Sequence, residues 1–513
     1  MQGFTRRNLI GAACALGGGL TWGSLQVDSA TAAPSGNPVG AWTHEGVLRG
    51  IRQGAVNVWK GVRFAESPTG EHRLAPPRPV ERWAGVRDAT EFGPAGLQPT
   101  GAFPGPQPPG MRQSEDCLFL NVWSPSTFGK RPVIVWIHGG AFVMGAGSHY
   151  DGSVYAARGD TVLVTINYRL GAFGGLALPD RPGVANLRLL DQIEALRWVR
   201  RNIGAFGGDA GNVTVMGESA GGMSIGALLG APAAKGLFRR AIVQSGGPRP
   251  VRDHAYARRI TEAMMRALEL DAPEQMMQVP AQDLLAASMT VHEAPASLEP
   301  FAHVTDGFVL PTHPLDHIDG EVDLLIGTCA KEADLFMPTP LGVKLERGAK
   351  AALGSAWDRI FAVYRDTALP RQQAVHDLIS GWFAVMPSVW LAEAAHLAGG
   401  RVWQYTFDYT DASPAGACHG SDVPFTFGTV EPERLAPNAD PVEAQSLSHS
   451  MLDAFVAFAR TGNPSHPDLP AWPRFRPDRR ANMSFGATSR VVDDRLSRVR
   501  RQAWAGIDPH RVC

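Results

Sequence analysis

The segment Gly217-Glu218-Ser219-Ala220-Gly221 constrains this chain more than any other, because of what stands on either side of it. Asn212-Val213-Thr214-Val215-Met216 reads as a short buried strand, and Gly221-Gly222-Met223-Ser224-Ile225-Gly226-Ala227-Leu228-Leu229 opens a helix of small residues. Between them the backbone must turn within a few residues, a strained geometry that needs small neighbours on both sides of the serine. A bare Gly-x-Ser-x-Gly match arises by chance. Set between a strand and a helix, it predicts a nucleophile elbow, with the serine hydroxyl raised at the carboxyl edge of a sheet.

The chain supplies such a sheet. Val133–Ile137 and Val162–Ile166 are nearly continuous apolar runs, the pattern of strands covered on both faces. Arg240–Gln244, Asp323–Gly327 and Val402–Phe407 read as further strands. From Asn186 to Phe206, Leu187, Leu190, Ile193, Leu196 and Val199 recur at helical spacing, with Asp191, Glu194, Arg197 and Arg201 expected to face outward. This alternation predicts a mixed, mostly parallel α/β sheet flanked by helices. With 513 residues, 44% of them apolar, the chain can bury one very large core or two. Its 57 glycines and 40 prolines fit long excursions between elements. Residues 67–112 are turn-rich, with prolines crowded between Pro99 and Pro109. About 250–320 and 333–400 read as mainly helical insertions, expected to form a lid or the walls of a deep pocket. Their aromatic residues Phe301, Phe308, Trp382, Phe383 and Trp390 suit either an apolar pocket or the core.

Composition removes several function classes. The 48 basic and 49 acidic side chains nearly cancel, and no basic run is interleaved with aromatics, so nucleic acid is not an expected partner. No Cys-x-x-Cys, His-Glu-x-x-His or acidic calcium loop occurs, so no metal is expected. Thr5-Arg6-Arg7-Asn8-Leu9-Ile10, an apolar stretch to Leu20 and Ala30-Thr31-Ala32 read as a twin-arginine signal over residues 1–32. The expectation is export in a folded state, to the periplasm or beyond, with 33–513 as a single catalytic domain. The Ile10–Leu20 run is too short to span a bilayer, so no stable membrane insertion is expected. Cys14 lacks a lipidation context, because Gly11 stands where such a signal needs leucine. Beyond it remain Cys117, Cys329, Cys418 and Cys513, too few for a disulfide scaffold.

A serine nucleophile needs a base, a carboxylate to orient the base, and donors for the oxyanion. His138-Gly139-Gly140-Ala141-Phe142 directly follows the Val133–Ile137 strand. Its consecutive glycines let the N–H groups of Gly139 and Gly140 converge, with the N–H of Ala220 as a third donor. His138 lies on the wrong side of the glycines to be the base and reads as structural. His419, in Gly416-Ala417-Cys418-His419-Gly420-Ser421-Asp422, is the candidate base, on a loop whose small residues leave the imidazole room to swing. Glu332 follows the Asp323–Gly327 strand and is the candidate acid, with Asp334 and the remoter Asp306 as rivals. Neither Cys329 nor Cys418 occupies an elbow, which sets a thiol nucleophile aside.

These motifs resemble the type B carboxylesterases, the family that also holds the cholinesterases. The likeness runs through Lys60-Gly61-Val62-Arg63-Phe64-Ala65, Glu115-Asp116-Cys117-Leu118-Phe119-Leu120-Asn121-Val122, His138-Gly139-Gly140, Asn167-Tyr168-Arg169-Leu170-Gly171, Phe206-Gly207-Gly208-Asp209 and the elbow. It continues in His419-Gly420-Ser421-Asp422-Val423-Pro424-Phe425, Gly462-Asn463-Pro464 and Trp472-Pro473. The resemblance implies an α/β-hydrolase fold and a small-molecule carboxylic ester as substrate, with no cofactor. It implies Ser219 as nucleophile, Glu332 as acid, His419 as base, and Gly139, Gly140 and Ala220 as oxyanion donors. Two other readings use the same fold: an amidase or carbamate hydrolase with this triad, and an exported binding protein without catalysis. The chain departs from the family twice. Phe92-Gly93-Pro94-Ala95-Gly96 lacks the cysteine that the family often pairs with that of Glu-Asp-Cys-Leu, so Cys117 is expected to be free. Lys331-Glu332-Ala333 replaces the usual Asp-Glu-Gly, which predicts an altered acid loop.

Overall fold

Every side chain of Val133–Ile137 and Val162–Ile166 is buried, so both strands must be covered on two faces. The computed structural model describes residues 36–99, 110–178, 184–294, 299–337, 339–365 and 370–513. Within it, Gly36–Cys513 forms one compact unit. The expected leader and the proline run at 100–109 lie outside the described residues.

Among the described residues the main sheet has 13 strands. Its parallel part runs, side by side, through Val162–Ile166, Arg131–Ile137, Gly208–Glu218, Arg240–Gln244, Asp323–Cys329, Val402–Phe407 and Ala481–Phe485. Parallel neighbours need crossover connections, and those place helices on both faces. Val133, Val135 and Ile137 pack with Leu189, Ile193 and Leu196 of the helix Leu187–Asn202. The alternate residues Ile134 and Trp136 share the other layer with Met451, Leu452 and Phe455 of the helix Pro441–Thr461. This is the mixed, mostly parallel α/β sheet expected from the sequence.

Two things differ from expectation. An antiparallel wing (Asn37–Trp42, Val47–Gln53, Val56–Arg63 and Phe119–Ser124) precedes the parallel block, and Arg490–Asp493 closes the far edge. The helix Leu187–Asn202 is also covered on its outer side: Asp191 and Glu194, expected to face water, are buried, and Arg197 and Arg201 stay partly exposed. Asp191 takes a bidentate bond from Arg169, Nη2 at 2.6 Å and Nε at 2.8 Å. Apolar periodicity locates the face toward the sheet; it does not register a second layer that satisfies charges by pairing them.

The insertions divide unevenly. The later insertion is helical at Pro340–Leu353, Ala356–Arg365 and Arg371–Ser380, and the last continues across a π turn at Gly381–Val385 into Met386–Leu397. The earlier insertion is helical at His254–Leu268 and Ala281–Glu293, and its described residues from 299 on are mostly irregular. The apolar run Arg371–Leu397 is long enough to cross a bilayer, yet 78% of its most apolar window is buried in the fold. Its apolar surface is used in packing.

Candidate active site

The strand Gly208–Glu218 runs directly into Ser219, and the helix Ala220–Leu229 begins at the next residue. Ser219 holds φ 53° and ψ −123°, a conformation that costs about 1–3 kcal/mol and survives only where neighbours enforce it. Its N–H donates to the Gln244 carbonyl at 2.9 Å. A Cβ at Gly221 would stand 1.9 Å from the Ile137 carbonyl oxygen, so the elbow closes against the next strand only with glycine there. The turn therefore has the expected form.

Strands that end at one edge bring the other candidates to Ser219. Glu332 opens a short 3₁₀ turn, Glu332–Leu335, after the strand Asp323–Cys329. That turn suits alanine at 333, and the Ala333 N–H is held by Ser380 Oγ at 2.9 Å. Glu332 is wholly buried and each oxygen is engaged. Oε1 accepts from Ser245 Oγ and the Cys329 N–H, both at 2.7 Å, and Oε2 lies 2.6 Å from His419 Nδ1. The rivals are elsewhere: Asp334 pairs with His376 at 3.0 Å, and Asp306 accepts from the N–H groups of Phe308, Val309 and Leu310.

His419 follows the strand Val402–Phe407, its loop bridged to the acid loop by a Lys331–Cys418 pairing. The ring is not free among small neighbours, as the sequence suggested. Phe336 and Phe383, from the later insertion, lie 5.1 and 5.2 Å from it and confine its motion. Nε2 is buried without a hydrogen-bond partner among the described residues and lies 3.2 Å from Glu218 Oε1 without the alignment of a bond. His138 is buried, stacks on Tyr168 at 4.3 Å, and is driven down to about 3 by burial. It is a structural, neutral ring.

Gly139 lies against the serine: a Cβ there would stand 2.6 Å from Glu218 Oε2 and 3.1 Å from Ser219 Cβ. The Gly140 N–H donates to no other group among the described residues, and the Gly139 N–H has the Tyr150 hydroxyl as its neighbour. Ala220 is the first residue of its helix, where the N–H has no intrahelical acceptor. The three donors expected from the sequence are thus gathered at one edge.

Sequence reasoning passed over Glu218, Ser245 and Asp422. Glu218 stood inside the elbow motif, a carboxylate one residue from the candidate nucleophile. Burial, reinforced by Asp422 and Glu332, raises Glu218 to about 7, with His419 opposing. Burial alone would lower His419; Glu218 and then Glu332 overcome it and raise the imidazole above its ordinary range. Asp422 is held by Gln244 Nε2 at 3.0 Å and Tyr405 OH at 2.9 Å. Ser245 follows the strand Arg240–Gln244 as Ser219 follows its own, and that register is its only signal.

The Carboxylesterase family model matches residues 40–504. The chain belongs to the carboxylesterase family. It is 38% identical to the para-nitrobenzyl esterase of Bacillus subtilis (strain 168), over 90% of this chain and 98% of that protein. It is 34% identical to the phenmedipham hydrolase of Pseudarthrobacter oxydans, over 89% and 97%. Among solved structures, the Geobacillus stearothermophilus carboxylesterase EST55 superposes with a TM-score of 0.82 at 37% identity, covering 91% of this chain and 99% of that one. The fold is the α/β-hydrolase fold, and the chain is a carboxylic ester hydrolase.

In this carboxylesterase-family chain a cavity of about 590 Å³ opens onto Ser219 and His419. Its walls are largely apolar, with Phe336, Leu341, Leu345 and Phe383 from the later insertion. Of the aromatics expected at a pocket, Phe383 alone lines this one. Phe301 and Trp382 are core, Trp390 packs against the core, and Phe308 is 64% exposed.

Proposed function

We propose that this chain hydrolyses carboxylic esters through Ser219, His419 and Glu332, by way of an acyl-enzyme. The observation that carries this is the 2.6 Å Glu332–His419 contact beside a cavity that Ser219 and His419 both line. The Ser219 hydroxyl attacks the ester carbonyl and His419 Nε2 takes its proton. Glu332, bonded at Nδ1, fixes the tautomer and stabilises the imidazolium. The N–H groups of Gly139, Gly140 and Ala220 receive the oxyanion. His419 then protonates the leaving alcohol, and water activated by the same ring releases the acid. Confined by Phe336 and Phe383, the ring has only a short tilt available between attack and proton return. The apolar walls favour a substrate with an uncharged acyl or alcohol body.

Ser219→Ala is expected to abolish turnover of a p-nitrophenyl ester while the melting temperature stays near that of the parent. A phosphonate should label the parent stoichiometrically and leave the variant untouched; turnover surviving in Ser219→Ala would refute the assignment. A second reading keeps these residues and takes a carbamate as acyl donor. It rests on the likeness to the phenmedipham hydrolase, and rates on matched ester and carbamate substrates separate the two.

The twin-arginine pattern further supports export of residues 33–513 as one catalytic domain. Replacing Arg6 and Arg7 by lysine should leave the esterase in the producing cell; unchanged export would remove this reading.

A further inference from the structure

Arg188, the second residue of the helix Leu187–Asn202, is wholly buried, and no carboxylate lies within ion-pairing distance of it among the described residues. A cation in that position is costly unless its donors are met and its charge finds another partner. Nη2 donates to the Gly171 carbonyl at 3.2 Å, Nη1 donates to the Phe301 carbonyl, and Nε has no partner. The guanidinium carbon lies 4.7 Å from the centroid of the Phe142 ring. Room for this is made by the helix Gly171–Gly175: a Cβ on Gly175 would stand 2.5 Å from Nη2. Burial lowers Arg188 to about 10, so it remains charged at neutral pH.

Phe142 ends the Gly139-Gly140 loop. Gly140, Ala141 and Phe142 hold φ values of 112°, 52° and 63° in succession. Two adjacent non-glycine residues with positive φ persist only where their surroundings over-determine them. Phe142 is buried in the cluster that also holds Ala220 and Met223, and three polar or aromatic contacts fix it there. Arg188 lies over its ring, His303 meets the ring at 5.1 Å, and its carbonyl accepts from the Gly171 N–H at 2.7 Å. Arg188 thus grips the loop twice, through the ring and through Gly171.

We propose that Arg188 is a positioning residue for the oxyanion loop, its cation–π contact with Phe142 and its bond to Gly171 holding the strained turn that aims the Gly139 and Gly140 N–H groups. This rests on the ester hydrolysis proposed above. Arg188 does not touch the substrate. A loosened loop costs more where charge develops on the carbonyl oxygen than in the planar ester, so the effect belongs in kcat.

The test is steady-state kinetics on a p-nitrophenyl ester with Arg188→Met, Arg188→Lys, Phe142→Leu and the Arg188→Met/Phe142→Leu double variant. Arg188→Met is expected to lower kcat about 10- to 100-fold with KM within about twofold, below the loss from deleting a whole oxyanion donor. Arg188→Lys keeps a charge over the ring and should recover part of the loss. Phe142→Leu should lose kcat similarly, and the double variant should be little worse than Arg188→Met alone, since both changes break the same ring contact. A trifluoromethyl ketone inhibitor should weaken in proportion to kcat/KM. Arg188→Met with unchanged kcat, a loss confined to KM, or additive losses in the double variant would overturn the proposal. Should Arg188→Met fail to fold, Phe142→Leu decides, because it keeps Arg188 in place: an unchanged kcat there is equally fatal. A parent protein inert toward every ester is a different failure, and it would remove the proposed function itself.

Discussion

Glu218 lies beside His419, the one titratable side chain within ion-pairing distance of it among the described residues. Its Oε1 is 3.2 Å from His419 Nε2, and Gly139 leaves its other oxygen open toward the oxyanion loop. The base role proposed for His419 needs the ring unprotonated, and the neighbouring carboxylates raise it above its ordinary range. Activity should therefore be lost as pH falls through that raised value. Glu218→Gln removes the largest of the raising charges, so the acid limb of kcat/KM should move to lower pH, by about one unit for each ~1.4 kcal/mol of pairing removed. The limb reports the coupled pair, so the shift is read against the parent profile. An unmoved or upward-shifted limb would contradict this account. At this scale the sequence was informative where chemistry and strand register coincide: Ser219, Glu332 and His419 each follow a strand that is apolar along its length. Ser245 and Phe336 gave no such signal, because their importance lies in which loop meets which, and that depends on strand order.

The same division holds for whole elements. Val133–Ile137 and Val162–Ile166 were legible because a strand covered on both faces leaves an unbroken apolar run. The antiparallel wing was not, since Asn37–Trp42 and Val47–Gln53 expose part of their length and carry a weaker pattern. The helix Leu187–Asn202 was located correctly, but its outer face was misjudged at Asp191 and Glu194. The Asp191–Arg169 pair that resulted joins this helix to the loop after Val162–Ile166, with side chains 0% and 3% exposed. Breaking such a pair leaves an uncompensated buried charge. Asp191→Asn is expected to lower unfolding stability by about 3 kcal/mol, measured by urea titration, with the slope unchanged. A loss below about 1 kcal/mol would mean that Arg169, which also donates to the Ala75 carbonyl at 2.7 Å, finds sufficient partners without the charge.

For the whole molecule, the sheet edge supplies the chemistry and the later insertion supplies much of the enclosure. Leu341→Ala and Leu345→Ala, on the helix Pro340–Leu353, should alter preference among acyl-chain lengths severalfold while p-nitrophenyl acetate turnover changes little. Equal changes on short and long esters would show that these side chains act through folding. The sequence pointed to insertions as walls but not to which side chains would face inward, because an apolar stripe at helical spacing marks a covered face without telling whether core or cavity covers it.

The four cysteines of the described residues are all buried and unpaired, Cys117 among them. No covalent tie joins the described residues, so a reducing agent should leave the melting temperature where it is. Recovery is another matter. Unfolding exposes four thiols that packing had hidden, and in air they can join in ways the native fold never allows. Heating and cooling with a reductant should restore activity, while the same cycle under oxidising conditions should not. For this enzyme, the redox state of the medium sets whether damage can be undone rather than how readily it begins.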